Sequence, residues 1–140
     1  HRRLLREEIP PLFDLEFNPS LWNSGHVRPK GRNEQILFVT LNKQGKVPSH
    51  QYIDRFEGPT TFHWQSQAKT TVASAKGQAI VNHTRDRSPV HLFVRAYKLE
   101  GGKSAPFYYC GRVTYESHSG EAPINVVFRL DDPAPSDLLA

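Results

Sequence analysis

Eighteen Lys and Arg against fourteen Asp and Glu leave this 140-residue chain at +4, a length that fits one domain burying roughly 68% of its unfolded surface. No apolar run approaches the roughly 20 residues that span a bilayer, which excludes membrane insertion by a helix. The single cysteine, Cys110, excludes an intramolecular disulfide and any multi-cysteine metal framework. A reducing cytoplasm is the expected compartment. The chain opens at His1 and contains no methionine, so it is expected to be a piece of a longer protein.

The charge is uneven. From His1 to Gly120 seventeen basic residues face ten acidic ones, whereas Glu121 to Ala140 hold one basic and four acidic residues. A basic body with a sequence pI near 9.4 favours an anionic partner, nucleic acid above all.

Arg2 to Glu8 reads as a charged entry segment, stopped by Pro10-Pro11. Phe13, Leu15 and Phe17 alternate with Asp14 and Glu16 at strand period, and Leu21 and Trp22 are expected to cover a core edge. After a turn-rich stretch from Asn23 to Asn33, Ile36 to Leu41 is a continuous β-branched and aromatic run. It is expected to be a central strand buried on both faces. Gln51 to Phe56 and Thr61 to Ser66 flank Glu57-Gly58-Pro59 as a hairpin. Thr70 to Asn82 predicts a short helix, weakened by Gly77. His91 to Tyr97 and Phe107 to Tyr115 form a long hairpin around Glu100 to Ser104, and Ile124 to Leu130 is the last strand.

The expected fold class is mainly β with one or two short helices (α+β). Many short strands in one small domain predict a curved mixed β-barrel, because closure removes exposed edges. Residues 1–12 are the expected entry segment, 13–130 the barrel, and 131–140 a flexible acidic tail.

No catalytic set is legible. The histidines lack the spacing of a helical zinc pair, Gly101-Gly102-Lys103-Ser104 lacks the earlier glycine of a phosphate loop, and Cys110 sits mid-strand as a small hydrophobe. Neither a metal nor a cofactor is expected. Recognition chemistry is richer at Phe62-His63-Trp64-Gln65-Ser66-Gln67. There Phe62, Trp64 and Ser66 fall on one strand face and His63, Gln65 and Gln67 on the other. Amides can pair with base edges and aromatic rings can stack on a base. An ordinary core Phe-Trp pair with solvated neighbours fits the same pattern equally well.

Six segments together resemble the bacterial family called domain of unknown function 3427. They are Trp22-x-x-Gly25, Leu37-Phe38-Val39-Thr40-Leu41-x-Lys43, Tyr52-x-Asp54-x-Phe56, Phe62 to Gln67, His91-Leu92-Phe93-Val94-Arg95 and Pro106-Phe107-x-Tyr109-x-Gly111. The resemblance runs from about Pro10 to Leu130. It implies the C-terminal target-recognition module of helicase-type proteins, some of which carry a phospholipase-D-type nuclease and act as modification-dependent type IV restriction enzymes.

The resemblance further implies an SRA- or PUA-like architecture that reads 5-methylcytosine or 5-hydroxymethylcytosine in double-stranded DNA by flipping the base out. Burying one methyl yields only about 0.8 kcal/mol, so selectivity also requires a pocket that penalises ordinary bases. On this reading the chain is not itself an enzyme, and helicase and nuclease domains of the parent protein are its partners. Trp64, Phe62, Tyr52, Tyr97 and Tyr109 are candidates for the base pocket, with Asp54, Gln65, Ser66 and Gln67 for polar readout. A carboxylate at Asp54 would accept from a cytosine amino group, although a surface ion pair with an arginine fits it as well. Lys43, Arg55, Arg85, Arg87 and Arg95 are the candidate phosphate contacts. Tyr108, Tyr115 and the loop from Trp22 to Asn33 are the places to look next. Two other readings stand beside this one: a sensor of a modified phosphate such as phosphorothioate, and a protein-interaction or autoinhibitory module of a helicase.

Overall fold

The computed structural model describes residues 2–41, 54–67 and 69–139. At its centre lie β3 (Gln35–Thr40) and β6 (Val90–Arg95), paired in parallel with Leu37 opposite Leu92 and Phe38 opposite Phe93. A parallel pair needs apolar cover on both faces, and alternate residues supply it. Leu37, Val39, Leu92 and Val94 enter one core with Phe62, Trp64, Ile80 and Phe128. Ile36, Phe38 and Phe93 enter a second core with Leu4, Ile9, Trp22 and Phe107. The doubly buried strand expected at 36–41 is therefore present.

Around this pair the sheet is antiparallel. β9 (Phe107–Ser119) is its spine, pairing with β6, with β10 (Asn125–Leu130) and with the short β1 (Arg3–Leu4). Gly111, at φ 86°, lies where the β6–β9 register slips between His91 and Phe93, a bulge position that needs a left-handed residue. β10 continues to β5 (Thr61–Gln65), which closes the expected hairpin with β4 (Arg55–Phe56). On the other side β2 (His26–Val27) pairs with β3. The full order is β2-β3-β6-β9-β10-β5-β4, while β7 (Leu99–Glu100) and β8 (Lys103–Ser104) form a separate ribbon at the tip of the long hairpin.

The domain is thus mainly β with short helices, but it is not a closed barrel. Among the described residues no ladder joins β2 to β4. The two sides meet through side chains instead: the His26 and Trp64 rings stand edge to face at 5.8 Å, and Gln67 Nε2 donates to Ser24 Oγ at 2.8 Å. We call this junction the seam.

One further expectation is corrected. Phe13, Leu15 and Phe17 are half-buried at alternate positions, yet they form no strand. Pro10–Phe13 is a 3-10 turn, and Asp14 at φ 59° is left-handed, so the extended run cannot start. The entry segment is part of the fold, with β1 on the sheet and Leu4 and Ile9 buried. The acidic tail also packs: α3 (Ser136–Leu139) buries Leu138 beside Ala134 in the first core, and Tyr108 Oη donates to Asp137 Oδ2 at 2.7 Å. Hydrophobic residues spaced along a charged tail were enough to dock it.

α1 (Pro19–Trp22) buries Trp22 under an Asn18 cap, and α2 (Ala75–Val81) is shorter than the 70–82 expected. α2 begins where the Ser74 side chain accepts from Gly77 N. Gly77 is required by close packing rather than tolerated, because a Cβ there would stand 1.9 Å from Thr71 O. Alanine normally improves a helix interior by about 1 kcal/mol over glycine. Here Gly77→Ala is expected to destabilise by about 3 kcal/mol in urea unfolding, the cost of overpacking against fixed backbone.

Candidate nucleic-acid interface

Parallel strands start at the same end, so the loops that precede β3 and β6 are forced together. The first runs Arg28-Pro29-Lys30-Gly31-Arg32-Asn33-Glu34. Its turn closes with Arg32 N donating to Pro29 O, and Gly31 takes the positive φ of 79° that the third residue of such a turn demands. The second follows α2. Asn33 Nδ2 donates to Asp86 O at 3.0 Å and to Arg87 O at 3.1 Å, clamping the loops to each other.

Arg87 ends the helical turn in a Schellman arrangement: Arg87 N donates to Thr84 O and Ser88 N to His83 O. That motif wants glycine at its left-handed position, yet Arg87 sits there at φ 53°, a conformation costing an L-residue roughly 1–2 kcal/mol. Its side chain is exposed, and it makes no ion pair among the described residues. Strain kept at an exposed cation is the kind of outlier that points toward function.

Arg28, Lys30, Arg32, Arg85, Arg87 and Arg112 gather at this end of the sheet. Two cavities open here. One, of about 320 Å³, is lined by Arg28, Lys30, Arg32, Asn33, Glu34, Gln35, Asp86 and Ser88. The other, of about 340 Å³, has Arg87, Arg112, His83, Thr114 and Asp131 in its wall. Arg32 is bonded to Glu34 and Arg85 to Asp86, each at 2.9 Å. Arg28, Lys30, Arg87 and Arg112 have no ion pair among the described residues.

The seam adjoins this face. Lys76, on α2, donates to His26 O at 2.8 Å and to Gln67 Oε1 at 3.0 Å. Burial, with the nearby Arg28 charge, lowers the Lys76 ammonium pKa. Burial pushes the His26 imidazole down to about 4, with Lys76 and Arg28 adding to the effect against its bond to Gln35. Asp54 Oδ1 accepts from Gln65 N at 2.7 Å, and burial raises its carboxyl to about 6 against the pull of that bond. The arginine partner considered for Asp54 is absent among the described residues.

The predicted site residues separate into groups. Phe62 and Trp64 are core residues, 0% and 5% exposed, and offer no face to a stacked base. Ser66 Oγ is committed, accepting from Ile124 N at 2.8 Å. Gln67 lies at the seam; Asp54 is held on Gln65 N, and Gln65 Nε2 donates to Asn125 Oδ1 on the neighbouring β10. Arg85 and Arg87 lie on the cationic end and Arg55 is exposed on β4. Arg95 is at the opposite end of β6, about 16 Å away at 3.3 Å per residue. It lies over the Phe107 ring at 4.3 Å and donates to Thr40 Oγ1 and Ala105 O.

Tyr97 and Tyr108 line a third cavity at that far end. Tyr109 bonds His91 Nδ1 at 2.9 Å and stacks on Phe93, and Tyr115 bonds His118. Cys110 is buried, which pushes its thiol up to about 12. Lys43 and Tyr52 lie outside the described residues. Arg28, Lys30 and Arg32, which the sequence did not single out, join Arg85 and Arg87 at the cationic end. Three cations at alternate positions of one Pro-Gly turn were the available signal.

A mainly β domain with a cationic end built from two clamped loops is the class defined by this geometry. The chain belongs to the family described as domain of unknown function (DUF3427), whose model matches residues 1–140. No curated protein matches it.

Two outcomes are expected. Arg87→Gly should raise stability by about 1 kcal/mol in urea unfolding by releasing the left-handed strain. For pH, His26 is depressed from 6.5 to about 4, so the unfolded chain binds the extra proton and stability falls on acidification through that window. Asp54 is raised from 3.8 to about 6, so the folded chain binds the extra proton and stability rises on acidification between those values. The two nearly cancel between pH 4 and 6. Asp54→Asn should therefore be more stable than the parent at pH 7 and lose about 1 kcal/mol per pH unit more steeply on acidification, measured by unfolding at a series of pH values.

Proposed function

We propose that this domain binds double-stranded DNA as the target-recognition module of a larger helicase- or nuclease-bearing restriction protein, and that it reads a modified cytosine. The observation that carries the reading is the convergence of Arg28, Lys30, Arg87 and Arg112, all without ion pairs among the described residues, with Arg87 held in a conformation that glycine would occupy more cheaply. Phosphates bind such a surface by counterion release. Recognition of the mark falls to the adjoining seam, where the Lys76 ammonium donates to the Gln67 amide oxygen, with the Asp54 carboxyl held on the backbone N–H of Gln65, two residues before Gln67. A flipped base entering there would parallel the SRA-type mode, with polar contacts in place of stacking on Trp64. The domain positions and does not cut; cleavage belongs to other domains of the parent.

A second reading, a sensor of a modified phosphate such as phosphorothioate, is favoured by one feature. The cavity beside Arg28, Lys30 and Arg32 has cations and amides in its wall and no aromatic ring.

Identical duplexes carrying cytosine, 5-methylcytosine, 5-hydroxymethylcytosine or phosphorothioate, titrated over a range of salt, separate the two. The triple variant Lys30→Glu, Arg87→Glu, Arg112→Glu should weaken binding to every duplex and flatten the salt slope by about three phosphate contacts. Asp54→Asn with Gln67→Ala should lose discrimination among duplexes at unchanged salt slope. An unchanged affinity and slope in the triple variant would place the DNA elsewhere, and binding to none of the duplexes would favour a protein-docking role.

A further inference from the structure

The cavity between the β2–β3 loop and the turn after α2 has a charge balance that suits one ligand class. Arg32 Nε donates to Glu34 Oε2 at 2.9 Å, and the other Glu34 oxygen faces His91 Nε2 at 3.5 Å. Asp86 is held by both Arg85 Nε at 2.9 Å and the adjacent guanidinium nitrogen at 3.4 Å. Both carboxylates in the wall are thereby matched by their own arginines, and Arg28 and Lys30 remain as two uncompensated charges from positions two apart on one turn. The walls do not have to move to form the site, because Asn33 ties the two loops together through Asp86 O and Arg87 O.

We propose that this cavity binds a phosphate monoester, with Arg28 and Lys30 as its charged ligands. At neutral pH a monoester carries about −1.5 to −2 and a backbone diester only −1, so one monoester balances the two cations where one diester leaves a positive charge over. The volume of about 320 Å³ lies at the small end of ligand cavities, which suits a phosphate with little attached. Arg28 and Lys30 belong also to the face proposed for duplex binding, and the ligand's source in the cell is a phosphorylated DNA end or a free mononucleotide.

Inorganic phosphate is titrated against the 15N-labelled chain at constant ionic strength, with chloride as the reference anion. Saturable shifts confined to the amides of Lys30 to Asn33 and of Ser88 are expected. Arg28→Ala with Lys30→Ala should weaken phosphate by at least about tenfold, while Arg129→Ala on β10 should leave it unchanged. Circular dichroism checks that both variants fold. Shifts that never saturate, or an equal loss in the Arg129 variant, would overturn the site. Competition then distinguishes the sources: displacement by a 5′-phosphorylated duplex and not by its unphosphorylated twin identifies a DNA end, and displacement by a mononucleotide alone identifies the free ligand. If phosphate binds the wild type and the duplexes do not, the site stands and the DNA reading fails.

Discussion

Everything in this domain depends on the parallel contact between β3 and β6. An antiparallel pair can be joined by a tight turn and leave one face wet, but a parallel pair requires a crossover and apolar cover on both sides. The crossover from Thr40 to Val90 contains β4, β5 and α2, and it returns the chain to the end where β3 began. Cover on one side comes from the curl of the sheet, through Phe62, Trp64, Val126 and Phe128. On the other it comes from the first 22 residues, through Leu4, Ile9 and Trp22. The close approach of α2 to Thr71 at Gly77 and the docking of the N-terminal segment both follow from that one pairing.

The same constraint gathers charge. Strands that start together bring their leading loops together, and here both loops are cationic. Such a gathering opposes folding by self-repulsion, and part of the cost is met by Glu34, Asp86 and Asp131. The rest is left unmatched. Beside it, His26 and Lys76 are held toward their neutral forms chiefly by burial, and Asp54 toward its protonated form. Burial of ionisable groups next to unmatched cations is costly for stability alone and is how binding sites are commonly built.

Much of the sheet was legible in the sequence because its hydrophobic periods are strong. Ile36 to Leu41, His91 to Tyr97 and Ile124 to Leu130 could be buried only as strands. Phe62, Trp64 and Ser66 share the inward face as alternation required. That alternation could not say whether the inward aromatics met a core or a ligand, since both demand the same residues, and Trp64 and Phe62 proved to be core. Phe13 to Phe17 shows the opposite failure: the period of two survives in burial, while the left-handed Asp14 removes the strand. The open seam was illegible because closure depends on whether β2 and β4 meet. The cations were harder still. Arg95 ends a family motif yet spends its charge on Phe107, Thr40 and Ala105, whereas Arg28 and Lys30 lie in a plain turn and are placed only by the parallel register.

In the proposed function, the loops leading into β3 and β6 form the face that meets DNA. Hydrogen–deuterium exchange of the chain with and without a saturating duplex tests it most directly, because backbone protection reports the covered surface without altering any side chain. Protection is expected at residues 28–34 and 84–89, with the seam segment 65–76 following. Protection centred instead on Tyr97 to Tyr108, at the far end of β6, would contradict that reading.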